Sequence, residues 1–142
     1  MPEAILHTVG ALLINARGEV LLGFRADWKT AWPNTWDSVG GRVEPGETTE
    51  ETLIRELGEE IGVRPTAFRL LEAMREQRPD LYPDGLHHIY AVTAWDGDPW
   101  NACDEHTEIR WFPVEALGDL PNLIECDLPR LALQAREIAL GA

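Results

Sequence analysis

Glu56, Glu59 and Glu60 stand at spacing i, i+3, i+4 within GRVEPGETTEETLIRELGEEIGV, residues 41–63, a stretch of 23 residues that holds seven glutamates. On an α-helix turning about 100° per residue, with Leu53 at zero, Glu59 falls near 240°, Glu56 near 300° and Glu60 near 340°. The three carboxylates then share one face. Their mutual repulsion costs stability unless a cation sits among them. Hard oxygen ligands converging from one side suit Mg2+ or Mn2+. Leu53, Leu57, Ile61 and Ile54 fall between zero and about 100°, the stripe expected to face the core. Glu60 borders that stripe and is expected to be the least solvated of the three. Gly58 costs a helix about 1 kcal/mol relative to Ala. Either it admits another backbone to the carboxylate face, or it has no such role.

The elements that must position these groups can be read from patterning. Thr48 or Thr49 is a helix cap, Glu50 and Glu51 suit the first turn, and Gly62 is a suitable stop. Residues 7–15 and 20–25 read as strands joined by the turn 16–19 into a hairpin, and residues 36–39 as a short strand leading into Gly40-Gly41. Strands are expected over 68–76, 86–95 and 108–112, a helical turn over 113–117, and a C-terminal helix over 128–140. Strands interleaved with two helices predict an α/β (α+β) fold, a mixed sheet sandwiched between helices, in one domain spanning 1–142. The loops 26–35, 77–86 and 96–107 are long for so small a domain, which points to function.

Composition narrows the partners. Twenty-five acidic residues face twelve basic ones, for a net charge of −13. So negative a surface repels a long phosphate backbone and an anionic membrane. No apolar run approaches the length of a membrane helix, and Met1-Pro2-Glu3-Ala4 lacks the features of a signal peptide. Cys103 and Cys126 form no CxxC pair and are expected to be reduced thiols. A cytoplasmic protein is expected.

The segment 41–63 resembles the Nudix box. Gly41, Glu47, Arg55, Glu56, Leu57, Glu59, Glu60, Gly62 and Val63 fill its fixed positions. The opening strands, the Trp-containing approach to Gly-Gly and a late Trp111-Phe112 strand also look like the family. The resemblance implies an α/β/α sandwich that hydrolyses a pyrophosphate linkage in a nucleoside diphosphate joined to another moiety, using Mg2+ or Mn2+. It makes Glu56, Glu59 and Glu60 metal ligands, with Glu59 and Glu60 the central pair and the Gly40 carbonyl a further ligand. Arg55 would hold the glutamates and pair with Glu47, while Gly41 and Gly62 would serve backbone geometry. A general base is sought among Glu59, Glu60, Glu105 and Glu108, and Glu108 is favoured.

The substrate is read from the loops. Arg25, Lys29, Trp28 and Trp32 are candidates for phosphate and base contact, and Trp36 could stack a nucleobase. Pro79 lies sixteen residues beyond Val63, near where ADP-ribose-cleaving relatives carry a proline. The approach to Gly-Gly is also similar to members acting on nucleoside triphosphates or nucleotide sugars. It departs from many members in having Ser38-Val39 before Gly40. His87 and His88 would point to opposite faces of a strand, so only one can serve a site. The resemblance also makes a homodimer plausible. The competing reading is a non-catalytic nucleotide sensor on the same fold, which would have no need of the three glutamates.

Overall fold

The computed structural model describes residues 5–124 and 127–141. The chain runs β1 (Leu6–Leu13), β2 (Glu19–Arg25), β3 (Trp36–Asp37), β4 (Val39–Arg42), α1 (Thr49–Ile61), β5 (Arg64–Arg75), β6 (Gly85–Asp96), β7 (His106–Pro113), a 3-10 turn (Val114–Asp119) and α2 (Leu128–Leu140). Its architecture is the expected α+β class. The strands form two sheets, a mixed one in the order β4-β1-β6-β5 and an antiparallel one in the order β3-β2-β7.

β1 lies parallel to β6, from Leu6 beside Gly85 to Leu13 beside Val92, and antiparallel to β4, with Gly10 opposite Gly40. Strand alternation divides its side chains between two cores. Val9, Ala11 and Leu13 join Leu53, Leu57 and Ile61 of α1. Leu12 and Ile14 join Leu128, Leu131, Ala132 and Ala135 of α2. β2 splits likewise, Leu21 to the first core and Val20 and Leu22 to the second. Strands buried on both faces between two helices give the layered sandwich.

Two sequence expectations change. The turn after β1 forms: the Asn15 side chain accepts from the backbone N–H of Arg17 and of Glu19. The strands around it do not make a hairpin. They meet in the isolated bridge Ile14–Val20 and then diverge into different sheets. The strand expected over 36–39 is also divided. Trp36–Asp37 pairs with β2, whereas Val39–Arg42 pairs with β1. Ser38 is the crossing point. Its N–H donates to the Asp37 carboxylate, which satisfies a backbone group that neither sheet can reach.

α1 begins and ends where its capping residues require. The Thr48 hydroxyl accepts from the Glu51 N–H and the Glu51 carboxylate accepts from the Thr48 N–H, a capping box. Gly62 closes the helix with φ of 67°. The buried arc of the helix is Thr52, Leu53, Glu56, Leu57, Glu60 and Ile61. Ile54, expected in the apolar stripe, is 39 % exposed. The helix is rolled toward its acidic side, where Gly40 and Gly41 of β4 have no side chains to hold it away. α2 starts at Leu128 with proline in its first turn. Cys126 lies outside the described residues.

Candidate active site

The division of residues 36–42 between two sheets opens a cavity of about 400 Å³ beside the crossing point, within the range of small-molecule sites. Arg25, Asp37, Ser38, Gly40 and Gly41 line it where the sheets part, and Glu56 and Glu105 add carboxylates.

Backbone geometry carries these acids. Gly41 stands against Glu56: a Cβ at Gly41 would lie 2.4 Å from the Glu56 carboxyl carbon. The Gly40 N–H donates to Glu60 Oε2 at 3.2 Å. The loop after β6 is fastened to the end of α1, where Trp100 N–H donates to the Ile61 carbonyl at 3.1 Å and Ala102 N–H to the Glu60 carbonyl at 2.9 Å. Those carbonyls would otherwise lack partners at the helix end. The same loop continues to Glu105, whose carbonyl accepts from the Ala26 N–H at 2.9 Å. Glu105 is thereby brought to the carboxylate face of α1.

Charges are distributed unevenly over these groups. Arg55 donates from Nε to Glu47 at 2.7 Å and from Nη1 to Glu56 at 2.8 Å and Glu59 at 3.2 Å. Its hydrogen bonds, with that of Thr52, hold the Glu47 carboxyl down at about 2. Burial raises the Glu56 carboxyl, Arg55 opposes that rise, and the charges of Glu59 and Glu105 add to it. Glu60 is 2 % exposed. Burial first, then the charges of Glu56 and Glu105, push its carboxyl up to about 9. Lys29 binds Glu105 at 2.6 Å. Carboxylates that repel one another and are only partly neutralised by cations form a donor set of the hard-oxygen kind that Mg2+ or Mn2+ prefers.

The other end of the cavity is a mixed pocket. Trp32 Nε1 donates to the buried Glu76 carboxylate, 3.2 Å from either oxygen, and its ring tilts against Tyr82. His87 bonds Thr8 Oγ1 at 2.5 Å and lies 3.5 Å from Glu76. Met74, Ile89 and Ile124 supply apolar surface. His88 faces away and stacks on His7, as strand alternation requires.

Several sequence expectations fall outside this arrangement. Trp36 does not reach the cavity. It is core, edge-on to Phe24 and Phe112, because its strand pairs with β2. Glu108 is exposed and paired with Arg110, two residues along the same strand, and does not line the cavity. Glu105, named beside Glu108 among the candidate bases, does line the cavity. Pro79 sits exposed in a turn, outside the cavity lining. Glu59 is not gathered with Glu60: its side chain is exposed and rests on Arg55. Arg25 lines the cavity, but its Nε and Nη2 both donate to the Ala31 carbonyl. Glu76 was not foreseen, because in sequence it is one charge among many at a strand end.

The sequence profile of the NUDIX domain matches residues 6–133. The chain belongs to the Nudix family of pyrophosphohydrolases. Among its relatives is an 8-oxo-dGTP diphosphatase of Escherichia coli (strain K12), 33 % identical over 132 residues, which cover 89 % of this chain and 95 % of that protein. Another is nucleoside triphosphatase NudI of Enterobacter sp. (strain 638), 33 % identical over 129 residues, covering 80 % of this chain and 86 % of the relative. In structure, this Nudix chain is similar to a MutT NUDIX hydrolase from Burkholderia pseudomallei, with a TM-score of 0.78 at 25 % identity, covering 94 % of this chain and 98 % of that one. Nudix hydrolases act on small nucleotide substrates, and the dimensions of the cavity agree with that. No helix among the described residues is long and apolar enough to cross a membrane.

Proposed function

We propose that this Nudix protein is a divalent-metal-dependent hydrolase that cleaves the pyrophosphate bond of a nucleoside diphosphate linked to another moiety, a nucleoside triphosphate first among the possibilities. The observation that carries this is the convergence of Glu56 and Glu105 at the end of a nucleotide-sized cavity, with the buried Glu60 carboxyl beside them. The diphosphatase and triphosphatase names of the relatives support the triphosphate over ADP-ribose or a nucleotide sugar.

Glu56 and Glu60 would hold Mg2+ or Mn2+, with Glu59 at the solvent edge and the Gly40 carbonyl beside them. When bound, the ion would neutralise charge on the polyphosphate and lower the pKa of a water molecule. Arg55 keeps Glu56 in place and itself stays charged. Lys29 and Arg25 offer positive charge to the phosphates on the cavity side. Glu105, steadied by Lys29, takes the proton from the attacking water. Trp32 and His87 flank the end of the cavity that receives the nucleoside. The protein thus acts mainly by placing water and phosphorus in line.

The test is a product screen with Mg2+ and a panel of nucleoside triphosphates, oxidised dGTP, ADP-ribose, nucleotide sugars and dinucleoside polyphosphates. Nucleoside monophosphate and pyrophosphate from a triphosphate are the expected products, lost in Glu56→Gln. A panel left uncleaved while metal is bound would favour the sensor reading instead.

A further inference from the structure

Behind the carboxylate face lies a second group of ligating atoms. Glu60, Cys103 and His106 each offer one, all within 4.8 Å of one another. His106 lies between the other two, with Nε2 3.7 Å from Glu60 Oε1 and Nδ1 3.8 Å from Cys103 Sγ, and it offers one of these nitrogens to an ion. The contact to Glu60 is longer than an ordinary N–H···O bond, and the contact to Cys103 is within reach only of a weak hydrogen bond to sulfur. The imidazole is 5 % exposed and is fixed by packing, since a Cβ at Gly23 would lie 2.5 Å from its ring. Cys103 is a free thiol and half-buried, which leaves a way in from solvent. Phosphate hydrolysis as described above uses neither Cys103 nor His106.

The donor chemistry here differs from that of the carboxylate face. Thiolate and imidazole favour Zn2+ over Mg2+. Tetrahedral zinc, with bonds of about 2.3 Å to sulfur and about 2.0 Å to nitrogen or oxygen, sets its ligand atoms about 3.3–3.6 Å apart, so those of this group, within 4.8 Å of one another, must draw closer. Rotation of the half-buried Cys103 side chain, on the loop before β7, can supply that. Three protein ligands leave a fourth position for water.

We propose that Glu60, Cys103 and His106 form a separate zinc site, and that zinc held there withdraws Glu60 from the carboxylate face and inhibits the enzyme. One carboxylate then belongs to two sites that cannot both be filled in full. The thiol gives up its proton on binding, and that proton passes to solvent. The inhibitory half rests on the hydrolase reading above; the binding half does not.

Co2+ is the probe for binding, because cobalt–thiolate bonds give a near-ultraviolet charge-transfer band. The full-length protein carrying Cys126→Ser should show that band at one equivalent of Co2+, displaced by Zn2+. Adding Cys103→Ser should abolish it. In Mg2+-supported hydrolysis, Cys103→Ser alone should leave the zinc-free rate unchanged. It should raise the Zn2+ concentration for half-inhibition by at least about tenfold, the usual effect of losing a metal-site partner. If the serine variant fails to fold, Cys103→Ala replaces it. Protection of the thiol from alkylation by one equivalent of Zn2+ is then measured in Cys126→Ser, with Cys103 intact. No band and no protection would overturn the site, and so would inhibition indifferent to Cys103. A Cys103-dependent band in a protein that hydrolyses nothing would sink the hydrolase reading and leave the zinc site standing.

Discussion

The α-carbon of Gly41 abuts the carboxyl group of Glu56 so closely that a single methyl group would lie within 2.4–2.6 Å of its three atoms. The glycine is required by a side chain of another element. Gly41→Ala is expected to displace the Glu56 carboxylate, because the obstructed atoms are the far end of a flexible chain. Activity should fall by about 10–100-fold, the scale of a misplacement near 1 Å, with only a small change in thermal stability. Steady-state kinetics beside a melting curve would check this, and an equal loss in both would argue against it.

Glu105 and Glu108 make a paired comparison. Glu105→Gln should lower kcat by about 10²-fold or more, as expected for loss of a general base, while Glu108→Gln should stay within about twofold. Glu108 spends its charge on Arg110 at the surface, where ion pairs matter little. The reverse ranking would return the base to β7.

Removing the metal should expose a pH dependence that belongs to Glu60. Its carboxyl rises from 4.5 unfolded to about 9 folded, through burial and the charges of Glu56 and Glu105. The stability conferred by the neutral group is complete below the unfolded value and is lost as pH rises through the folded one. Chelator-treated protein should therefore weaken to urea between pH 4.5 and about 9, and Glu60→Gln should flatten that decline. Glu47 works the other way. Its carboxyl is held at about 2 by Arg55 and Thr52, so its contribution is present above 4.5 and fades as pH falls toward 2. Identical slopes for wild type and Glu60→Gln would refute the assignment.

Gly58 is a simpler case. A Cβ there would meet no other atom within 4 Å, so the idea that its bareness admits a neighbouring backbone finds no support. Gly58→Ala should raise stability by about 0.5–1 kcal/mol, the ordinary helical gain, with kinetics unchanged. Urea denaturation measures it.

What could be read from sequence follows the range of each signal. α1 was legible to within a residue at its ends, because a capping box and a left-handed glycine act over a few neighbours. Helical spacing foresaw the burial of Glu60 but not that Glu59 would turn to solvent and rest on Arg55. Ile54 was misplaced because the wheel treats the apolar stripe as the core, whereas Gly40 and Gly41 draw the helix toward its glutamates. The hairpin after β1 and the unbroken strand at Trp36 failed for one reason. Local turn and alternation signals do not say which sheet a strand will join, and here adjacent strands join different ones. Trp36 followed its strand into the core. Glu105, anchored through the carbonyl groups at the end of α1, could be nominated from sequence but not preferred over Glu108, since that anchoring is tertiary.

The parallel pairing of β1 with β6 has a consequence for how the chain is made. β1 leaves the ribosome before its partner, with Val9, Ala11, Leu12 and Leu13 destined for full burial. Its central partner, Gly85–Asp96, is synthesised only after α1 and β5. β4 and α1 are available sooner, but neither can cover the β6 edge of β1. During that interval an apolar strand stands open on one side, where another nascent chain could pair with it. The Nudix box is therefore translated before the sheet that supports it can close. Slowing elongation between α1 and β6 should cost soluble yield more than the same delay placed after β6.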